Sequence, residues 1–217
     1  MPIFDRTEIV EKYVVFADIL GFGSRVIDDY DKTLDIYEQV LEAPEVISWL
    51  TPEIQVSIYS DSFILVSVDL DRLIDATRML YMVTLKSGLL VRGGIAKGKH
   101  IESLQSSRLH MVSEALVKAV KLEKEIKFPC LGIHPDIEIP DEWWTKHNDN
   151  IKRSILYFGG LRIVNPCIIP LWKTPIIKMF NNPQDHQKHQ DKYQWFSELL
   201  QAISSPVQMI PPKFQNQ

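Results

Sequence analysis

Tyr13-Val14-Val15-Phe16-Ala17-Asp18-Ile19-Leu20, followed at once by Gly21-Phe22-Gly23, anchors the chain. An apolar run rich in β-branched residues that stops at glycine is the pattern of a buried strand feeding a tight loop. One residue breaks it. Asp18 places a carboxylate among Phe16, Ala17, Ile19 and Leu20, which is costly unless the charge is paired or holds a cation.

Downstream, a helix is expected over roughly Ser24 to Leu41, with Ile27, Tyr30, Leu34, Tyr37 and Leu41 at helical spacing as its core face; Ala43-Pro44 ends it or begins a short connection. Ile54 to Tyr59 and Phe63 to Val68 are two β-rich runs separated only by Ser60-Asp61-Ser62, which predicts a hairpin. A helix follows from about Asp71 to Lys86, then a strand at Leu89 to Ile95, a polar loop from Gly98 to Ser107, a helix from Ser113 to Glu125 and a short strand at Leu131 to Ile133. From Asp136 onward repeated prolines weaken the pattern; short strands at Ile155 to Phe158 and Leu161 to Val164 and a helix at Tyr193 to Ile203 are expected. The order β-α-β-β-α-β-α-β suits an α+β fold with a mostly antiparallel sheet and helices on one face. The expected organisation is a core over 1–135, an extension over 136–205 that completes or flanks it, and a flexible tail over 206–217.

With 217 residues, 45% of them hydrophobic, the chain can bury a substantial core. A net charge of −4 argues against a nucleic-acid coat. Two cysteines, Cys130 and Cys167, are too few for a disulfide framework or a cysteine-built zinc site, so a reducing cytoplasm is the expected location. Asp5, Arg6 and Glu8 interrupt any leader-like apolar run near the start, and no window of about 20 apolar residues predicts membrane insertion.

The chemistry-bearing residues gather around the anchor. Asp61, considered alone, reads as a turn former. If the hairpin pairs with the first strand, Asp18 and Asp61 share one end of the sheet, and two such carboxylates suit magnesium, an oxygen-seeking ion that also binds phosphates. Gly21, Phe22 and Gly23 open a helix whose backbone N–H groups suit a phosphate; the plain alternative is a strand-to-helix turn. Arg92, in an apolar strand, wants an anion, either a phosphate or an acidic residue of the chain. His186 and His189 in a Gln- and Lys-rich stretch read as solvated surface, and Trp143, Trp144 and Trp172 as packing or subunit contacts.

Phe16-Ala17-Asp18-Ile19-Leu20-Gly21-Phe22 resembles the first metal motif of class III nucleotidyl cyclases, F-x-D-I-x-G-F. Ser60-Asp61 resembles their hairpin G-D, with Ser for Gly, and Val91 to Gly98 (VRGGIAKG) resembles their R-x-G-I-x-x-G. His110 to Glu123 aligns without gaps with their dimerisation-arm and helix motif. The four motifs occur in the family's order over about Tyr13 to Ile133. The D-I-L-G-F start, the S-D-S hairpin, R-G-G-I and E-A-L-V-x-A-x-x-L-E resemble more closely the bacterial pyrimidine nucleotide cyclases of Pycsar anti-phage systems.

The resemblance implies a ferredoxin-like cyclase catalytic domain and a head-to-tail homodimer whose sites are shared across the interface. It implies two Mg²⁺ or Mn²⁺ ions at Asp18, Ile19 and Asp61, and phosphate binding by Gly21, Phe22, Gly23 and Arg92. The expected substrate is a nucleoside triphosphate, UTP or CTP, converted to a 3′,5′-cyclic monophosphate that a separate cyclic-nucleotide-binding effector reads. The chain departs from the family where adenylate and guanylate cyclases carry an Asn and an Arg: Val117 and Lys121 stand there, and Lys121 alone retains a charge for catalysis. The base-selecting positions map to Ser57 and His110, neither of which belongs to a purine-selecting pair. A purine cyclase with an unusual pocket and a catalytically inactive nucleotide-binding module are the alternatives.

Overall fold

The computed structural model describes residues 3–105, 108–167 and 190–215. Trp172, His186 and His189 lie outside them.

One mixed sheet organises the chain, in the order β2-β3-β1-β4-β6-β8-β7, with β5 paired to β4. Its strands are β1 (Val10–Ile19), β2 (Gln55–Tyr59), β3 (Ser62–Ser67), β4 (Val91–Gln105), β5 (Arg108–Ser113), β6 (Leu131–Ile133), β7 (Ile155–Phe158) and β8 (Leu161–Val164). All pairings are antiparallel except β4 with β6. The anchor strand β1 sits between β3 and β4, with Asp18 opposite Ser62 on one side and Arg92 on the other. The expected α+β architecture and hairpin are therefore present.

The helices divide between the two faces. Val15, Ala17 and Ile19 point into the main core with α3 (Glu42–Leu50), α4 (Leu70–Lys86), α6 (Asp141–Thr145) and α7 (Gln190–Ile203). Val14, Ile64 and Val66 point the other way and pack on Ala115 of α5 (Glu114–Glu125). The expectation of helices on one face thus holds for the main core only. Glycine lets α5 lie close on that second face: a Cβ at Gly94 would sit 2.5 Å from the Ala119 carbonyl oxygen. Ser113 accepts from the Leu116 N–H and starts the helix.

Five expectations are corrected. The single helix over 24–41 is two, α1 (Phe22–Asp28) and α2 (Tyr30–Val40), because extended Asp29 ends the first and caps the second through Lys32 N–H. The anticipated core stripe points largely outward: Ile27 is 86% exposed, and Tyr30, Leu34 and Leu41 are also exposed. Of that stripe Tyr37 does pack on the core, alongside Thr33, Ile36 and Val40. Pro44 does not end a helix but occupies the first turn of α3, where its missing N–H costs nothing.

The polar segment from Gly98 is strand, not loop. β4 runs on past the end of β1 and pairs with β5 from His100↔Ser113 to Gln105↔Arg108. Lys12 anchors this arm to β1 by reaching Glu102 at 2.9 Å. The tail is docked as far as residue 215, with Met209, Ile210 and Phe214 in the core. Buried Asn150 holds it: its Nδ2 donates to the Val207 carbonyl at 2.8 Å, and its Oδ1 accepts from Met209 N–H at 2.9 Å. The last β-hairpin and α7 extend the same sheet and core, and Trp144 packs near Phe214.

Candidate functional site

Two backbone features bring the carboxylates together. β1 delivers Asp18 to the end of the sheet, and the two-residue turn Ser60-Asp61 hangs beside it because Tyr59 pairs with Ser62. Ser60 takes a φ of +57°, the conformation for which glycine is favoured, and its carbonyl accepts the Tyr37 hydroxyl. The Ile19 N–H donates to the Asp61 carbonyl at 3.0 Å, locking the turn to the strand.

Asp18 is partly buried. Burial raises its pKa to about 6, and the Asp61 charge adds to the rise. Ser62 Oγ donates to Asp18 Oδ1 at 3.1 Å and opposes it only in part. Like-charged carboxylates at one desolvated point, without a protein cation bonded to Asp18 among the described residues, suit an added cation. The donors are hard oxygens, which fits Mg²⁺ or Mn²⁺ rather than a thiophilic metal. No cluster of three or more His, Cys, Asp and Glu side chains occurs among the described residues, so such a cation would rest on Asp18, Asp61 and a backbone oxygen such as that of Ile19.

Gly21 caps α1 with φ +74°, a conformation that requires glycine, whereas Gly23 has open space where a side chain would go. The Phe22 ring packs on Tyr37 at 5.2 Å. Arg92 shares the face of Asp18, but its Nε donates to Glu123 Oε1 at 2.6 Å and its Nη2 reaches the same oxygen. Ser57 and Tyr59 also lie on the Asp18 face, since Ser57 pairs with Ile64 and Tyr59 with Ser62. Tyr59 is exposed there.

Lys121 and Val117 lie one turn apart on the outer side of α5, both exposed, Val117 at 68%. His110 sits out on the arm opposite Ser103, eleven residues along β4 from Arg92, a contour of about 36 Å at ~3.3 Å per residue. One chain thus brings Asp18, Asp61, Arg92 and Ser57 to one face, and leaves Lys121 and His110 turned away from its own carboxylate pair.

Glu123 was not anticipated. It is 5% exposed, on the inner stripe of α5 with Ala115 and Ala119. An acidic residue four positions beyond Ala119 on an apolar helix face was the signal that could have found it.

The sequence matches no family profile, and no curated protein matches it. Solved structures do. A bacterial light-regulated adenylyl cyclase superposes with a TM-score of 0.51 at 16% identity, covering 79% of this chain and 98% of that one. The fold is that of a class III nucleotidyl cyclase catalytic domain. The guanylyl cyclase Cya2 (TM-score 0.49, 9% identity, 58% of this chain and 75% of that one) and the adenylyl cyclase CyaB from P. aeruginosa (0.49, 15%, 59% and 79%) are similar at lower scores. In this cyclase fold the carboxylate pair occupies the end of the strand and hairpin at the sheet centre, and α5 lies across the same face.

Proposed function

We propose that this chain is a nucleotidyl cyclase that converts a pyrimidine nucleoside triphosphate, UTP or CTP, into a 3′,5′-cyclic monophosphate and pyrophosphate. The observation that carries the reading is the convergence of Asp18 and Asp61 at one end of the sheet in a cyclase fold, where the Asp61 charge adds to the cost of charging the partly buried Asp18. Asp18, Asp61 and the Ile19 carbonyl would hold two Mg²⁺ or Mn²⁺ ions. When bound, the ions supply activation of the ribose 3′-hydroxyl and neutralisation of the leaving pyrophosphate.

The chain's own residues position the reactants. The Gly21-Phe22-Gly23 turn and Arg92 line the triphosphate's path beside Asp18. Restricting the 3′-oxygen to an in-line approach to the α-phosphorus is the main contribution the protein makes. Lys121 and His110 point away from the carboxylates of their own chain, which favours a homodimer in which they complete the partner's site. Ser57 and His110 offer neutral donors or acceptors rather than a purine-selecting charge pair, and Tyr59 on the Asp18 face narrows the space left for a base. The product would serve as a second messenger for a separate cyclic-nucleotide-binding effector in anti-phage defence, as the sequence resemblance implies. Among the described residues no helix is long and apolar enough to cross a membrane.

Val117 favours a second reading. It cannot hydrogen-bond a ribose, as an inactive nucleotide-binding module would not need to. Incubation with UTP, CTP, ATP and GTP at equal concentration with Mn²⁺, followed by mass analysis, decides between them. A cyclic pyrimidine monophosphate is expected as the fastest product. Faster turnover of a purine nucleotide overturns the base assignment, and nucleotide binding without any product overturns the cyclase reading.

A further inference from the structure

Asp18 and Arg92 are direct cross-strand partners on one face of the sheet. Opposite charges so placed attract each other, and an Arg92–Asp18 ion pair is the default outcome. The structure shows a different pair. Both Nε and Nη2 of Arg92 are bonded to Glu123, which reaches across from α5 and is almost fully buried. Asp18 keeps a single side-chain hydrogen bond, from the neutral Ser62, among the described residues.

We infer that Glu123 is a positioning residue that holds the Arg92 guanidinium off Asp18, reserving the Asp18 carboxylate for a divalent cation and the remaining Arg92 N–H groups for a triphosphate. The inference rests on the cyclase reading of the Asp18–Asp61 site. The chemistry is a competition. A guanidinium and a metal ion are rival cations for one carboxylate, and Arg92 is tethered next to it, so it needs a stronger anion elsewhere. Glu123 supplies one in a dry setting, where a charge-assisted pair is strong and where neither member is tolerated alone. Guanidinium has five donors, so the two committed to Glu123 leave three that Glu123 does not use. A purely structural role, tying α5 to β4, is the competing explanation, and it makes no reference to metal.

The test is Mn²⁺ binding to the full chain without nucleotide, followed by electron paramagnetic resonance. Glu123→Gln is expected to weaken Mn²⁺ binding by about tenfold or more, the low end of what an adjacent guanidinium does to a carboxylate's affinity for a proton. Adding Arg92→Gln to that variant is expected to restore wild-type binding, because the rival cation is gone. In turnover, excess Mn²⁺ should recover most of the kcat of Glu123→Gln, which a structural defect would not allow. Wild-type Mn²⁺ affinity in Glu123→Gln, alongside lost binding in Asp18→Ala, overturns the inference and leaves the cyclase reading intact. Unchanged binding in Asp18→Ala overturns both. Circular dichroism checks the fold of each variant; should Glu123→Gln not fold, Glu123→Met, which removes the charge and fills similar buried space, takes its place with the same outcomes.

Discussion

The Ser62 hydroxyl donates to Asp18 Oδ1 at 3.1 Å across the β1–β3 ladder. This bond favours the charged carboxylate, yet burial and the neighbouring Asp61 outweigh it, and the Asp18 pKa rises from 3.8 to about 6. A carboxylate raised in the folded state binds its proton more tightly there than in the unfolded chain. Between pH 4 and 6 the folded state therefore holds more protons, and stability falls as pH rises.

Asp18→Asn should accordingly stabilise the metal-free protein at pH 7.5 and leave it nearly unchanged at pH 4.5. After discounting for solvent screening, the gain is about 1 kcal/mol, or about 2–4 °C in melting temperature. Paired thermal melts at the two pH values check this, and a variant that melts below wild type at pH 7.5 contradicts it.

Divalent cations should reverse that order. Saturating Mn²⁺ should raise the melting temperature of the wild type, by about 2.7 kcal/mol of stability at a hundredfold excess over Kd. Asp18→Ala and Asp61→Ala should fold, lose most of that response and lose cyclisation. Near wild-type turnover in either variant would falsify the two-carboxylate mechanism.

Exposed Lys121 and the carboxylate pair are expected to meet only across a dimer. Asp18→Ala and Lys121→Ala chains should each be inactive or nearly so. Mixed, they should regain activity approaching a quarter of wild type, since about half the dimers are hybrid and each hybrid keeps one intact site of two. Activity assays of the separate and mixed chains read this directly. An active enzyme that sediments as a monomer at working concentration excludes the shared site.

Asn150 is 3% exposed and bonds both the Val207 carbonyl and the Met209 N–H. Asn150→Ala leaves those buried groups without their partners at a cost of about 2 kcal/mol. The expected loss is about 4–8 °C in melting temperature, with faster proteolytic trimming near the C-terminal end. Unchanged melting and trimming would show that the docked tail is held mainly by Met209, Ile210 and Phe214.

Much of this protein was legible in its sequence because it is written in local patterns. Apolar runs rich in β-branched residues marked β1 and the β2–β3 hairpin, and 3.6-residue periodicity marked α4 and α5. A charged residue in an apolar strand marked Asp18, since burying a charge needs a reason wherever the strand goes. Motif order pointed to the cyclase fold before any strand was placed.

Other features depended on what each element packs against. The stripe from Ile27 to Leu41 has helical spacing, but spacing does not say which side meets the core, and a single extended residue at Asp29 rotates the two halves independently. The segment from Gly98 to Gln105 lacks apolar alternation and becomes strand because β1, as far as His100, and β5, from His100 on, supply its ladder partners. The docked tail depends on Asn150, some sixty residues earlier. Arg92 announced in the sequence that it wants an anion. That the anion is Glu123 rather than the adjacent Asp18 was decided only when α5 crossed the sheet at Gly94, because a charge takes the partner that tertiary packing desolvates beside it, not the one nearest in the ladder.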